Sequence, residues 1–194
     1  YANSAAASAL DLDDGHRAAG GHPGAAVIPA VLALAQEEAA GWSESLAALV
    51  AGYEVGVRIS AARDFSALDT LSTGRWCAYA AAAAASRLRR LSPRQTAEGL
   101  AVAGVLSPGL SAAGYSQVMG NHAKEGIPWA TLTGLWAAEL AAGGFTGPRD
   151  ILAGMDTAIT PLKPDGKLDR NVLRDEEPPK ALTLAETFDS FDAT

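Results

Sequence analysis

Acidic residues and histidines gather in one short stretch near the start of the chain. Asp11, Asp13 and Asp14 are followed by His16 and His22, which places two of the chain's three histidines beside three carboxylates. A proline then opens the next helix, whose free N–H groups favour anions. Neighbouring imidazoles can donate to a carboxylate or transfer a proton. The stretch therefore predicts a corner that binds a carboxylate substrate and moves a proton.

Simpler interpretations exist for each residue of this stretch taken alone. Asp13 or Asp14 would cap local backbone, and His16 would be an exposed side chain. A metal site is a further alternative, because Asp and His are ordinary ligands. However, the sequence has no His-x-x-x-His pair, and Cys77 is its only cysteine. We therefore expect no metal here, and we interpret the joint cluster as functional.

Two further stretches carry weaker signals. His122 and Lys124 precede a second proline-opened helix and would meet another anionic group, although a solvated loop lysine is the commoner outcome. Thr73 and Arg75 flank a glycine turn before an alanine-rich helix. Cys77 has no histidine near it in sequence, so we predict that it packs in the core rather than acting as a nucleophile.

Composition restricts the partners and the compartment. A formal net charge of −7 and the absence of a basic stripe with aromatic residues argue against nucleic acid. No signal peptide and no apolar run of membrane-spanning length can be recognised, so we predict no membrane partner. A single cysteine permits no internal disulfide, which fits a reducing cytoplasm.

Apolar spacing and capping signals predict an all-α, multi-helix fold with strand signals nearly absent. Pro29 is expected to kink the second helix. From residue 161 prolines punctuate a charged segment, so we divide the chain into a helical domain, 1–160, and an irregular tail, 161–194, with room for a short terminal helix. The predicted helices cover 1–10, 25–39, a segment from Ser43 through Ile59, 76–91, 93–105 and 129–142.

Several motifs in order carry a family resemblance. They are "ALDLDDGH", "GHPGAAVIPAVLALA", "GYEVGVRI", the Thr73–Gly74 pair before the alanine-rich helix, and "AAELAAGGFTGPRDIL". Together they resemble the MmgE/PrpD family, which includes 2-methylcitrate dehydratase, cis-aconitate decarboxylase and iminodisuccinate epimerase. The resemblance implies a large helical domain and, in full-length members, a smaller α/β domain, with the active site between them. Only the helical part corresponds to this chain, which we expect to be partial or a shortened homologue.

The resemblance also implies site residues and chemistry without a metal or organic cofactor. The catalytic aspartate, histidine and lysine fall on Asp11, His22 and Lys124. The family often has histidines where this chain has Leu71 and Ser8. We predict that the residues around the catalytic three contact substrate; they are Asp14, His16, Arg17, Thr73, Arg75 and His122.

The expected function is a cofactor-free lyase, of the 2-methylcitrate dehydratase type, that transfers a proton next to a carboxylate of a small di- or tricarboxylate. An epimerase of the iminodisuccinate type is the first alternative, kept open by Leu71. A biosynthetic tailoring enzyme and a non-catalytic helical module for dimerisation or binding are the others. Small-residue helices and the resemblance predict a homodimer.

Overall fold

The computed structural model describes residues 1–9, 11–63, 65–68, 71–108 and 123–151. Within these ranges it contains helices and no β-strand; the nearest feature is one isolated bridge between His16 and Gly21. The α-helices are α1 (Ala2–Ala9), α2 (Gly24–Glu37), α3 (Trp42–Ala61), α4 (Cys77–Leu88), α5 (Pro93–Leu106) and α6 (Ile127–Ala142), and short 3₁₀ helices span Phe65–Ala67 and Thr73–Arg75. The predicted all-α class is confirmed.

Helix α4 lies at the centre and packs against α2, α3, α5 and α6. All its side chains from Cys77 to Ser86 are buried. Alanine adds only one methyl group, so the neighbouring helices approach its backbone closely. A Cβ placed on Gly134 of α6 would lie 2.4 Å from the carbonyl oxygen of Ala78. The alanine-rich composition thus produces a tightly packed helical core.

Local capping sets where the helices begin and end. Ser92 Oγ accepts the Gln95 N–H at 3.3 Å, and Gln95 Oε1 accepts the Ser92 N–H at 3.1 Å, so a reciprocal capping pair starts α5. Helix α4 ends at Leu88, earlier than the predicted end at Leu91. The reason is Arg90, whose φ of 52° is left-handed and incompatible with a continuing helix.

The other predicted boundaries agree with the structure to within a few residues. Pro29 lies inside α2, which continues past it to Glu37. Helix α6 begins at Ile127 rather than Trp129, because Pro128 belongs to its first turn. In the part of the chain that the structure describes, no helix is both long and apolar enough to cross a membrane. The predicted tail, 161–194, lies outside the described residues.

Candidate active site

The acidic stretch forms a compact turn between α1 and α2. Asp11 and Asp14 adopt left-handed backbone conformations, with φ of 53° and 58°, which reverse the chain. The His16 N–H donates to the Gly21 carbonyl at 2.8 Å and closes a loop within the turn. The Asp13 carbonyl accepts the N–H of Ala25 at 3.3 Å, so the turn is fastened to the start of α2. This backbone arrangement turns the Asp13 side chain toward His22.

His22 is held from two sides. Its backbone N–H donates to Thr73 Oγ1 at 3.1 Å, which ties it to the 3₁₀ helix before α4. Its Nδ1 lies 3.2 Å from Asp13 Oδ1; the Asp13 side chain is only 5% exposed, whereas that of His22 is 32% exposed. The Asp13 carboxylate thus lies beside the imidazole, an arrangement in which a carboxylate can orient a histidine ring for proton transfer.

Lys124 reaches this corner from the loop just before α6, far from Asp11 in the sequence. Its ammonium group is ion-paired with the carboxylate of Asp11 and also donates to the Ser8 carbonyl at 3.3 Å. Hydrogen bonding to Lys124 holds the pKa of Asp11 below its usual value, and the same bond raises the pKa of Lys124. Asp11 is therefore a carboxylate and Lys124 an ammonium at neutral pH.

Glu125 completes the corner. Its side chain is 4% exposed and its Oε1 lies 3.9 Å from Lys124 Nζ. Burial raises the pKa of Glu125, while the charges of Lys124 and His22 oppose that rise. One ligand-type atom from each of Asp13, His22 and Glu125 lies within 4.8 Å of the others. The corner thus brings two buried carboxylates and an imidazole together.

The three residues predicted to be catalytic, Asp11, His22 and Lys124, all lie at this corner; their catalytic roles stay predictions. Thr73 is buried behind it and contacts the His22 backbone. Asp14 faces α3, where its Oδ2 accepts the hydroxyl of Tyr53 at 2.8 Å. Its side chain is therefore engaged in a contact that fixes the turn.

The remaining predicted substrate contacts are placed differently. His16 Nδ1 accepts the Ala19 N–H at 3.3 Å, a contact within its own turn. Arg17 is exposed. Arg75 is half-buried near Arg63, whose pKa is lowered to about 10 by burial and then by the Arg75 charge. His122 lies outside the described residues.

Two members of the corner are not among the predicted site residues. Asp13 belongs to the acidic cluster that the sequence analysis interprets as functional, but no role is assigned to it there. Its simpler interpretation, a backbone cap, does not describe its side chain: α2 has no side-chain cap, and it is the Asp13 carbonyl that contacts the helix. Glu125 was not singled out, although it stands beside Lys124 before a proline-opened helix. That position was a usable signal. By contrast, the prediction for Cys77 is confirmed, since its side chain is fully buried in the core.

The fold and the corner together define a helical domain with a carboxylate–imidazole–lysine site where α1, α2 and α6 begin or end. The MmgE/PrpD N-terminal domain model matches residues 1–169. The Cis-aconitate decarboxylase-like protein oryM of Aspergillus oryzae is 35% identical over 158 residues, covering 74% of this chain and 31% of that protein. The chain belongs to the MmgE/PrpD family, and it spans about a third of this relative's length.

Proposed function

We propose that this chain carries the acid–base residues of a cofactor-free lyase that acts on a small di- or tricarboxylate. The observation that carries the proposal is the meeting of Lys124, Asp11 and His22 at one corner. Glu125 links the lysine to the imidazole: its Oε1 lies 3.9 Å from Lys124 Nζ, and one of its carboxylate oxygens lies within 4.8 Å of a ring nitrogen of His22. A cation beside an imidazole suits a substrate whose reacting carbon is next to a carboxylate.

In the proposed reaction the Lys124 ammonium binds a substrate carboxylate and His22 removes the proton from the adjacent carbon. Asp13 stabilises the imidazolium that this step creates, because its carboxylate lies 3.2 Å from Nδ1. The departing hydroxyl takes a proton from the Lys124 ammonium and leaves as water; His22 then gives up the proton it removed and Lys124 regains one through solvent, which restores both groups. Asp11 keeps Lys124 protonated between turnovers, since their ion pair raises the lysine pKa.

Two other outcomes begin from the same corner. The oryM relative's name refers to decarboxylation, so loss of carbon dioxide is the second candidate. In that case His22 delivers its proton to the carbon that loses the carboxylate. An epimerase of the iminodisuccinate type is the third candidate and is kept open by Leu71, where the family often has a histidine. The predicted homodimer, the cytoplasmic location and the division at residue 160 remain proposals.

Proton NMR in deuterated water tests this function directly. The chain is incubated with a panel of di- and tricarboxylates, with chelator present, and compared with Asp11→Asn and His22→Gln. We expect deuterium exchange or conversion that survives the chelator and is lost in both variants. Asp150→Asn, in an exposed turn after α6, is the matched control and should behave like the parent chain. No exchange with any substrate would contradict the proposal and favour the non-catalytic helical module.

A further inference from the structure

Three atoms in the corner are buried and lack hydrogen-bond partners. They are Oδ2 of Asp13, Nδ1 of His22 and Oε2 of Glu125. Nδ1 lies 3.2 Å from Asp13 Oδ1, but without the alignment of a hydrogen bond. Burying a polar atom without a hydrogen-bond partner destabilises the fold, because the atom loses its hydration and gains nothing in return. The free-energy penalty is larger for an ionised carboxylate. Within the part of the chain that the structure describes, no donor satisfies these three atoms, and their clustering suits a bound ligand.

The positive charge of the described residues does not balance this cluster. Among them Lys124 is the cation that touches it, at 3.9 Å from Glu125 Oε1, and its ammonium is shared with Asp11 and the Ser8 carbonyl. One lysine thus faces three carboxylates, of Asp11, Asp13 and Glu125. The side chains of the last two are 95% or more buried, so water screens their mutual repulsion poorly.

We propose that Asp13, His22 and Glu125 form a binding site for a divalent transition-metal ion such as Zn²⁺. The ion would neutralise both buried carboxylates and accept a lone pair from the imidazole. Two carboxylates and one imidazole suit zinc and its first-row neighbours better than Ca²⁺ or Mg²⁺, which prefer oxygen alone. The His22 side chain is 32% exposed, so the cluster lies next to solvent, although its unpartnered atoms are themselves buried.

The distances between the three candidate ligand atoms allow zinc binding after a change in side-chain torsions. The three ligand atoms lie within 4.8 Å of one another. Zinc held at about 2.0–2.2 Å from each ligand would bring them to roughly 3.4 Å apart. Side-chain torsions, above all those of Glu125, can supply that contraction. Solvent would complete the coordination, as in zinc sites with three protein ligands.

A bound ion and the proposed proton transfer exclude each other. Zinc would occupy the imidazole and the Asp13 carboxylate that stabilises its protonated form. The site is therefore inhibitory, a means by which a metal would silence the corner. This consequence rests on the proposed function, whereas metal binding itself does not.

Titration calorimetry on chelator-stripped protein with ZnCl₂ tests the binding. We expect one equivalent to bind to the parent chain and at least roughly tenfold weaker binding in Glu125→Gln and Asp13→Asn. Glu139→Gln, an exposed acid on α6, is the matched control and should bind like the parent. Circular dichroism confirms that each variant is folded. Binding of equal strength in all four proteins, or no binding by the parent, would overturn the proposal.

Two further readouts separate this proposal from the proposed function. Co²⁺ should show visible d–d absorption bands in the parent chain and lose them in Glu125→Gln and His22→Gln. With an active carboxylate substrate, Zn²⁺ should inhibit in proportion to occupancy, and chelator should restore the rate. Metal binding without any turnover would support the site and contradict the proposed function. Turnover without metal binding would support the proposed function and contradict the metal site.

Discussion

Gly74 and Gly126 pack backbone against backbone. A Cβ on Gly74 would lie 2.8 Å from both the Cα and the carbonyl carbon of Gly126. This contact joins the 3₁₀ helix that holds His22 to the loop that carries Lys124 and Glu125. Because both partners are main-chain atoms, no side-chain rotation can relieve an added methyl group.

Gly74→Ala should therefore destabilise the fold and displace the Lys124 loop. We expect a loss of about 1–3 kcal/mol in the free energy of unfolding, typical of overpacking in a close-packed interior. Urea denaturation followed by circular dichroism measures it. The same variant should lose any metal binding or proton exchange at the corner.

Gly99→Ala on α5 is the matched control. A Cβ there would meet its nearest neighbours at 3.5 Å, an ordinary contact. Alanine is favoured over glycine inside a helix, so we expect a gain of up to about 1 kcal/mol. If both variants were equally stable, the close approach of Gly74 to Gly126 would not be the cause.

Thr73→Val should weaken the hold on His22. Thr73 is 2% exposed and its Oγ1 accepts the His22 N–H at 3.1 Å. Valine keeps the shape but leaves that N–H without an acceptor, so we expect a loss of about 1–3 kcal/mol by urea denaturation. Thr73→Ser retains the hydroxyl and should lose less. A valine variant more stable than the serine variant would contradict the role assigned to this hydrogen bond.

Glu44 should contribute stability that depends on pH. Its carboxylate accepts hydrogen bonds from Arg90 Nη2 at 2.5 Å and from the Gly41 N–H at 3.3 Å. The bond from Arg90, and after it the bond from Gly41, lowers the pKa of Glu44. A carboxyl group whose pKa is lower in the folded state stabilises the fold at pH values above its unfolded-state pKa. This stabilisation is lost as the pH falls through the folded-state pKa.

The measurement is Tm against pH for Glu44→Gln and the parent chain. The variant should melt at a lower temperature at neutral pH, and the difference should disappear in acid below the folded-state pKa. High salt should also shrink the difference, because the pair is exposed. A difference that is constant from acid to neutral pH would show that the charge is not responsible.

Cys77 should be unreactive in the folded protein. It is fully buried, and burial raises the pKa of its thiol well above the usual value, with the Glu125 charge adding to the effect. Because it is the only cysteine, any thiol reaction reports on it alone. With DTNB at mildly alkaline pH we expect no reaction in buffer and complete reaction in urea. Reaction of the native protein at the rate of a free thiol would place Cys77 at the surface.

The sequence by itself determined the helical elements and the acidic turn. Helix periodicity, capping residues such as Ser92 with Gln95, and the alanine run act over a few neighbouring residues. Local signals of this kind can be recognised without knowing the rest of the fold. The same holds for the motif that carries Asp11 and His22.

Only the tertiary structure decided which groups meet at the corner. Lys124 lies 113 positions from Asp11, and Glu125 lies more than 100 positions from both Asp13 and His22. Their meeting depends on how closely α6 packs on α4 through Gly134, and on the backbone contact between Gly74 and Gly126. Such contacts depend on packing across the whole core, which no local pattern encodes. For that reason the sequence indicated a carboxylate site, while the buried cluster of Asp13, His22 and Glu125 emerged only from the assembled fold.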